Sequence, residues 1–167
     1  ASADGSASEA DFTIALVNQN DNPPVITSNG AGATAAVNVA ENATAVTTVV
    51  ATDTDGTAPT YSIVGGADAA RFSIDAATGV LTFTVAPNFE APLDADGNNS
   101  YLVSVRASDG SFSDTQDLTV TVTDVNEFAV STPVDGNASA NSVAENAANG
   151  TLVGITAQAV DTDGSNN

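Results

Sequence analysis

Apolar and polar residues alternate with a period of two through most of the chain. The alternation is clearest at Tyr61 and Ile63, and at Leu118, Val120 and Val122. A period of two places successive side chains on opposite faces of a strand, so each such segment predicts a half-buried β-strand. No window shows a sustained helical period, and the chain is therefore predicted to be all-β.

Seven strands are predicted in the middle of the chain, separated by turns rich in Gly, Asp, Asn and Pro. Many short strands with regular turns are typical of an antiparallel β-sandwich with Greek-key connections. Two sheets would enclose one apolar layer, which is lean because its residues are mostly Ala and Val. The strands are centred on residues 37–39, 46–51, 61–63, 72–74, 81–83, 101–107 and 118–122.

The two ends of the chain repeat parts of its middle. ASADGSASEADFTIALVNQND at residues 1–21 resembles RASDGSFSDTQDLTVTVTDVNE at residues 106–127. VNVAENATAVTTVVATDTDG at residues 37–56 resembles NSVAENAANGTLVGITAQAVDTDG at residues 141–164. Self-similarity of this kind predicts tandem repeats of one structural unit.

Three units follow from these repeats. Residues 1–22 are predicted to be the C-terminal strands of a preceding repeat and its linker. Residues 23–127 are predicted to form a complete domain, and residues 128–167 the N-terminal part of a following repeat.

Charge and composition limit the functions that such a chain can have. Twenty-one acidic residues and two basic ones give a formal net charge of −19, which excludes nucleic acid because phosphate binding needs Lys and Arg. Without His, Cys or Met, the chain has little with which to build a hydrolytic triad, a thiol nucleophile, a zinc site or a haem ligand, so we predict no enzymatic activity. No apolar run approaches the roughly 18 residues that span a bilayer, so membrane insertion is not expected.

Many oxygen-bearing side chains lie at the ends of the predicted strands. They occur in AEN, DTD, NFE and SDG, and in the junction sequences NQND and DVNE. Calcium takes six to eight oxygen ligands of this kind, whereas transition metals prefer His and Cys. The pattern therefore favours bound Ca²⁺, which would also offset part of the negative charge, over an acidic surface that is merely solvated.

In their order and spacing these motifs resemble a cadherin domain, in the form of the tandem repeats of large bacterial surface proteins. AEN, TDTDG, YSI, FSIDAATGVL, NFE, VRASDG and DVNE follow the family's pattern across residues 25–127. The resemblance implies a cadherin- and immunoglobulin-like sandwich. It also implies calcium ions between consecutive domains, held by the base of one domain, the linker and the top of the next.

The resemblance assigns ligands to two junctions. Asn18 and Asn88 stand where the family usually has Asp, and Phe128 where it has Asn, so fewer or weaker ions are expected than in the family's full set. The first junction site would comprise Asn20, Asp21, Asn22, Asp53, Asp55 and Asp109. The second junction site would comprise Glu41, Asn88, Glu90, Asp124, Asn126, Glu127, Asp161 and Asp163.

The resemblance implies a calcium-rigidified structural and adhesive segment of an extracellular bacterial protein, acting in cell adhesion, biofilm or matrix. Its partners would be neighbouring repeats or identical subunits through calcium-bridged junctions, together with cell-surface or matrix ligands. An alternative is a subunit of a self-assembling, calcium-dependent filament or tube. A carbohydrate-binding accessory module is a weaker alternative, because only two Tyr and no Trp are available to stack on sugars.

Overall fold

Short strands separated by tight turns make up residues 11–161, the part of the chain that the computed structural model describes. A 3-10 turn at Ala69–Arg71 is the only helical element within this part. The strands of the central unit are β1 (Val25–Ile26), β2 (Thr34–Ala40), β3 (Ala45–Thr48), β4 (Ala51–Thr52), β5 (Thr60–Gly65), β6 (Phe72–Ile74), β7 (Val80–Phe83), β8 (Ser100–Ser108) and β9 (Ser113–Thr123).

Two sheets form the body of the central unit. The larger has the strand order β2, β9, β8, β5, and the smaller has the order β3, β7, β6, while β1 pairs with β4. Alternate residues of β8 and β9 are buried, as the period of two predicts. The buried side chains of both sheets join in one apolar cluster, so the predicted all-β sandwich is confirmed.

Three aromatic rings fill part of the lean core. Phe72 and Phe83 are stacked with ring centroids 4.6 Å apart, and Tyr101 meets them edge-on at 6.3 and 5.1 Å. Each such pair contributes about 0.5–1.5 kcal/mol beyond its buried area. The buried hydroxyl of Tyr101 accepts a hydrogen bond from the N–H of Leu93 at 3.0 Å, so its polar end is satisfied.

The strand predicted at residues 46–51 is in fact two strands, β3 and β4, which belong to different sheets. Between them the N–H of Val49 donates to the carbonyl of Gly79, and the carbonyl of Val50 accepts from Thr27, both at 2.8 Å. The backbone therefore passes from one sheet to the other within these two residues. Gly79 has a φ of +71°, and a Cβ there would lie 2.1 Å from the Val49 oxygen, so this crossing requires glycine.

One pair of strands departs from the predicted antiparallel arrangement. β2 and β9 run parallel, in register from Thr34 opposite Asp117 to Ala40 opposite Thr123. A parallel pair needs a long crossover connection, and the six intervening strands provide it. Because parallel strands end at the same edge of a sheet, the residues that follow β2 and β9 meet there.

Residues 131–160, which lie in the predicted following repeat, contain the same kind of strand pair. β10 (Val134–Asp135) pairs antiparallel with β11 (Ala157–Gln158), and the N–H of Ser131 donates to the Val160 carbonyl at 2.8 Å. In the central unit β1 and β4 pair in the same sense. This likeness supports the repeat interpretation, while the domain boundaries themselves stay a prediction.

Candidate metal sites

The structure brings the predicted residues of the first junction site together at one end of the central unit. Asp53 and Asp55 directly follow β4, and Asp109 lies in the turn between β8 and β9. The linker, residues 18–22, runs beside these two loops and forms hydrogen bonds with Asp55.

Asp55 binds the linker through both of its carboxylate oxygens. Oδ2 accepts hydrogen bonds from the backbone N–H groups of Asp21 at 2.9 Å and Asn22 at 2.7 Å. Oδ1 accepts from the amide of Asn22 at 2.8 Å, and the Asp55 carbonyl accepts from the amide of Asn18 at 2.6 Å. The hydrogen bonds to its carboxylate lower the pKa of Asp55, and the one from the Asn22 backbone is the largest cause.

Asp109 has one oxygen engaged in its own turn and one directed at the linker. Oδ1 accepts from the N–H groups of Ser111 and Phe112, both at 2.7 Å. The bond from Phe112 is the largest cause that lowers the pKa of Asp109, and the amide of Asn20 contributes to the same shift. Oδ2 is therefore the oxygen of Asp109 that remains for a ligand shared with the linker.

The side-chain amide of Asn20 lies between two carboxylates, and its two orientations have different consequences. In one, its nitrogen donates to Asp55 Oδ2 at 3.3 Å and to Asp109 Oδ2 at 3.0 Å. In the other, its oxygen occupies the same position, and three acceptor oxygens converge with no proton between them. The first orientation satisfies the amide and both carboxylates, whereas in the second the amide nitrogen faces only donors; a cation ligated by the Asn20 oxygen would need the second.

Asp53 supplies an independent indication of a missing partner. Its Oδ1 accepts from the N–H of Asp55 at 2.8 Å, whereas its Oδ2 is buried and has no hydrogen-bond partner. A buried carboxylate oxygen without a partner is costly, and a bound cation would satisfy it. Carboxylate and amide oxygens are hard ligands, so the first junction site fits Ca²⁺.

Glu41 anchors the second junction site, at the edge where β2 and β9 end. Its side chain is only 2% exposed. Oε2 accepts from the N–H of Phe89 at 2.8 Å, and Oε1 accepts from the N–H of Val125 at 2.9 Å. The buried carboxylate of Glu41 thus connects, through hydrogen bonds, the loop that contains Glu90 with the segment that contains Asp124.

Three carboxylates converge at this edge. Glu41, Glu90 and Asp124 each place one oxygen within 4.8 Å of the others. A bond to its own backbone lowers the pKa of Glu90, but desolvation and the charges of Glu41, Asp124 and Glu127 outweigh it and raise that pKa overall. Like charges at this distance disfavour the fully ionised cluster, and a divalent cation would neutralise it.

The other predicted ligands of the second site are less closely grouped. The Asn88 oxygen caps its own turn by accepting from the N–H of Ala91 at 2.7 Å, and Asn126 and Glu127 continue the segment after Asp124. Asp161 is partly buried after β11 and is not a member of the carboxylate group. Asp163 lies outside the described residues.

Asn42 is a site residue that the sequence interpretation missed. Its side-chain amide donates to Oε1 of Glu127, and its N–H donates to the Pro87 carbonyl at 2.9 Å. Asn42 has a φ of +63°, a left-handed conformation that Asn tolerates better than most residues. The sequence could have indicated this residue, because an Asn directly follows Glu41 in AEN and Asn is common in tight turns.

Comparison with known proteins identifies the family. A cadherin domain matches residues 35–123, more than half of the chain, and the chain therefore belongs to the cadherin family. Human Protocadherin Fat 1 is 35% identical over 127 residues, which are 72% of this chain and 3% of that protein. The Drosophila melanogaster Fat-like cadherin-related tumor suppressor homolog is 36% identical over 108 residues, 65% of this chain and 2% of that protein. The chain thus spans only a few per cent of these relatives.

Solved structures give the same fold. The protocadherin gammaB7 EC3-6 cis-dimer has 27% identity and a TM-score of 0.54, covering 79% of this chain and 30% of that one. The human desmocollin-1 ectodomain has 27% identity and a TM-score of 0.54, covering 78% and 26%. Cadherin domains are adhesion-type repeats of extracellular regions. Between residues 11 and 161, no helix is long and apolar enough to cross a membrane.

Proposed function

We propose that this chain is a calcium-rigidified structural segment of an extracellular adhesive protein, with one ion-binding junction at each end of its central domain. The observation that carries the proposal is the convergence of Glu41, Glu90 and Asp124, with one oxygen of each within 4.8 Å of the others. Such a group is poorly suited to remain uncompensated, because each carboxylate raises the energy of the others. That the parent protein is a bacterial surface adhesin stays a prediction.

The mechanism follows from where the ligands are attached. Glu41 and Glu90 belong to the central domain, whereas Asp124, Asn126 and Glu127 belong to the segment that leaves it. A bound Ca²⁺ would supply shared coordination to oxygens from both. When the ion is bound, the segment is held in one orientation relative to the domain. Without the ion, repulsion among the same carboxylates allows the segment to move.

The first junction site would act in the same manner on the preceding linker. Asn20, Asp21 and Asn22 come from the linker, while Asp53, Asp55 and Asp109 come from the loops of the central domain. Extracellular modules bind calcium with dissociation constants of about 10⁻⁴ to 10⁻³ M, so millimolar calcium would keep both junctions ordered. Binding also stabilises the folded state by mass action.

Calcium titration of the whole chain tests this proposal. We expect the melting temperature to rise, and small-angle scattering to show a narrower distribution of dimensions, as calcium is added after chelation. Magnesium at the same concentration is the control for ionic strength, because it demands a smaller, octahedral site. If neither stability nor dimensions respond to calcium, the proposed function is wrong.

Two substitutions assign the response to the two sites. Glu90→Ala is expected to weaken calcium binding at the second site by roughly tenfold or more while sparing the first, because ligand charge tunes the affinity. Asp109→Asn, which retains an acceptor for Ser111 and Phe112, should weaken the first site and spare the second. Equal losses at both sites in either variant would contradict the ligand assignment.

A further inference from the structure

Four Asp–Gly pairs occur in residues 11–161, and one of them differs from the others. In an Asp–Gly pair the backbone nitrogen of the glycine can attack the preceding side-chain carboxyl, because no Cβ obstructs the approach. The attack closes a five-membered ring. It needs an N–H that is free of hydrogen bonds and an uncharged carboxyl, since an ionised carboxylate is a poor electrophile. The pairs are Asp55–Gly56, Asp96–Gly97, Asp109–Gly110 and Asp135–Gly136.

Three of the pairs meet neither requirement. A hydrogen bond from a backbone N–H is the largest cause that lowers the pKa of Asp55, Asp109 and Asp135, so these carboxylates stay ionised. The N–H of the glycine in each pair is also engaged and is not available as a nucleophile. Gly56 donates to the Asp53 carbonyl at 3.2 Å, Gly110 to the Ser108 hydroxyl at 3.2 Å, and Gly136 to the Thr156 carbonyl at 2.7 Å.

The remaining pair, Asp96–Gly97, is open to water. Both residues are exposed, and the N–H of Gly97 donates no hydrogen bond within residues 11–161. A Cβ placed on Gly97 would meet no other part of the protein within 4 Å. The side chain of Asp96 accepts a hydrogen bond from the amide of Asn98 at 2.8 Å, and Asn98 is itself exposed. The nucleophile and the carboxyl are therefore both accessible.

The carboxyl of Asp96 also differs in its charge. Its hydrogen bond with Asp94 is the largest cause that raises the pKa of Asp96, and desolvation and the charges of Asp94 and Asp68 add to it. Burial opposes the ionisation of Asp94, but hydrogen bonds, first that from the Asn98 backbone, lower the pKa of Asp94 overall. The proton shared by this pair is thus held on Asp96. A larger uncharged fraction of Asp96 persists as the pH rises than at an ordinary aspartate.

We propose that Asp96–Gly97 is a self-modification site, at which Asp96 converts spontaneously to isoaspartate and loosens the loop of residues 94–99. The nitrogen of Gly97 attacks Cγ of Asp96, a C–N bond forms, and the carboxyl hydroxyl leaves as water with the amide proton. Water then opens the succinimide ring. Attack at Cγ breaks the new bond and restores aspartate. Attack at the backbone carbonyl carbon breaks the original peptide bond and leaves isoaspartate, joined to Gly97 through its side chain.

The modification acts on a loop that lies beside the second junction site. Asp94 is buried and accepts hydrogen bonds from the N–H groups of Asn98 at 2.8 Å and Asn99 at 3.2 Å. The side-chain amide of Asn99 donates to the carbonyl of Phe89, the residue before Glu90, at 2.8 Å. Isoaspartate adds one atom to the backbone between Asp94 and the two N–H groups that it binds. We therefore expect both of these hydrogen bonds to weaken.

Peptide mapping after incubation in heavy-oxygen water tests the site, because each opening of the ring incorporates one oxygen atom from the solvent. The whole chain is kept in chelator at about pH 6, roughly two pH units above the ordinary pKa of Asp. It is then cleaved after arginine in ordinary water. With arginine only at positions 71 and 106, the peptide of residues 72–106 contains Asp96–Gly97 as its single Asp–Gly pair. We expect labelled isoaspartate to accumulate there several-fold faster than at the other three pairs.

Two variants test the chemistry. Asp96→Glu should remove the labelled isomer from this peptide, because glutamate would have to close a six-membered ring. Asp94→Asn removes the neighbouring charge and should slow the reaction at Asp96 several-fold at the same pH. Should Asp94→Asn fold poorly, the native chain provides the same test, because the rate at Asp96 should fall as the pH is raised through its pKa. A rate that responds to neither change would overturn the role of the uncharged carboxyl.

The chain unfolded in urea separates the effect of the structure from that of the sequence. In urea all four pairs should react at similar rates. Similar rates at all four pairs in the folded chain would overturn the selection of Asp96–Gly97, and a peptide without labelled isomer would overturn the site itself. Unchanged hydrogen exchange at the N–H groups of Asn98 and Asn99 in the isomerised chain would overturn the effect on the loop. Because every measurement is made in chelator, the outcome is independent of the proposed calcium function.

Discussion

At the first junction site Asp55 accepts hydrogen bonds from the linker backbone and from the Asn22 amide, while at the second Glu90 faces three other carboxylates. The resulting pKa shifts have opposite signs, lowered for Asp55 and raised for Glu90. Both sites contain the same kinds of residue. They differ in what surrounds one exposed carboxylate of each site, which is hydrogen-bond donors at Asp55 and other carboxylates at Glu90.

This difference determines what calcium has to replace at each site. At the first site an ion that binds Asp55 Oδ1 competes with the Asn22 amide, so part of the gain is offset by a lost hydrogen bond. At the second site an ion relieves repulsion among Glu41, Glu90 and Asp124. We therefore expect the linker at the first site to keep more of its order without calcium, and the second site to gain more from calcium.

The largest expected effect comes from Glu41→Ala. This change removes the acceptor of the part-buried hydrogen bonds from the N–H groups of Phe89 and Val125, and hydrogen bonds to a charged group are worth about 1.5–3 kcal/mol each. We expect the free energy of unfolding in chelator to fall by about 3 kcal/mol, less the repulsion that the change relieves. Urea denaturation followed by circular dichroism measures this loss.

Asp68→Ala is the matched control for this variant. Asp68 is also buried, and its two oxygens accept from the N–H groups of Ala95 and Leu102. It should lower the stability by a similar amount without changing the calcium response, since it belongs to neither site. A Glu41 variant as stable as the native chain would refute the anchoring role of Glu41.

Asp55→Ala tests whether hydrogen bonds hold the linker in the absence of calcium. The N–H groups of Asp21 and Asn22 lose their acceptor, so their hydrogen exchange in chelator should accelerate roughly tenfold, the effect expected from losing one such bond. The amide of Val125 at the second site should be unaffected. Amide exchange followed by NMR resolves all three.

Asp75→Ala controls for the loss of an exposed carboxylate. Asp75 likewise has a lowered pKa, chiefly because it accepts a hydrogen bond from the Thr78 backbone, but its carboxylate accepts its hydrogen bonds from its own turn, from Ala77 and Thr78. If Asp75→Ala accelerates exchange in the linker as much as Asp55→Ala does, the effect is not local to the first site.

The pH dependence of the two sites should run in opposite directions in chelator. The lowered pKa of Asp55 gives stability that is present above its unfolded pKa and is lost as the pH falls through its folded pKa. The raised pKa of Glu90 gives stability that is present below its unfolded pKa and is lost as the pH rises through its folded pKa. Carboxyl carbon shifts followed by NMR should show Glu90 titrating above, and Asp55 below, their ordinary ranges. The reverse order would contradict the comparison.

The sequence predicted the strands and their buried faces well, because a period of two directly reports which residues point inwards. Residues 101–107 and 118–122 were predicted as strands and form the centres of β8 and β9. The parallel pairing of β2 with β9 could not be predicted, because it depends on the path that the whole chain takes between these two strands. The division of residues 46–51 was also hidden, because Val49 and Val50 continue the apolar run through a change of sheet.

The site residues could be proposed from motif order, but their separate roles could not. Glu41 and Glu90 are both glutamates next to Asn or Phe in short motifs, yet one is buried with two donors and the other is exposed among acceptors. Burial and donor geometry arise only when loops from distant strands meet. The same reason explains why Asn42, which binds Glu127, was not recognised.

The smallest expected effect is that of Asn88→Asp, which sharpens the comparison by adding one more charge to the second site. Asp retains an acceptor for the N–H of Ala91, so the turn should survive. We expect the melting temperature in chelator to fall slightly and the calcium midpoint to fall about threefold, the size of a modest exposed charge interaction. Asn18→Asp is the counterpart at the first site, where the new carboxylate loses the amide donor to the Asp55 carbonyl and so loosens the linker. If both variants lowered the melting temperature in chelator by the same amount, hydrogen-bond donors would not account for the difference between the two sites. Repulsion between carboxylates would then explain the behaviour of each.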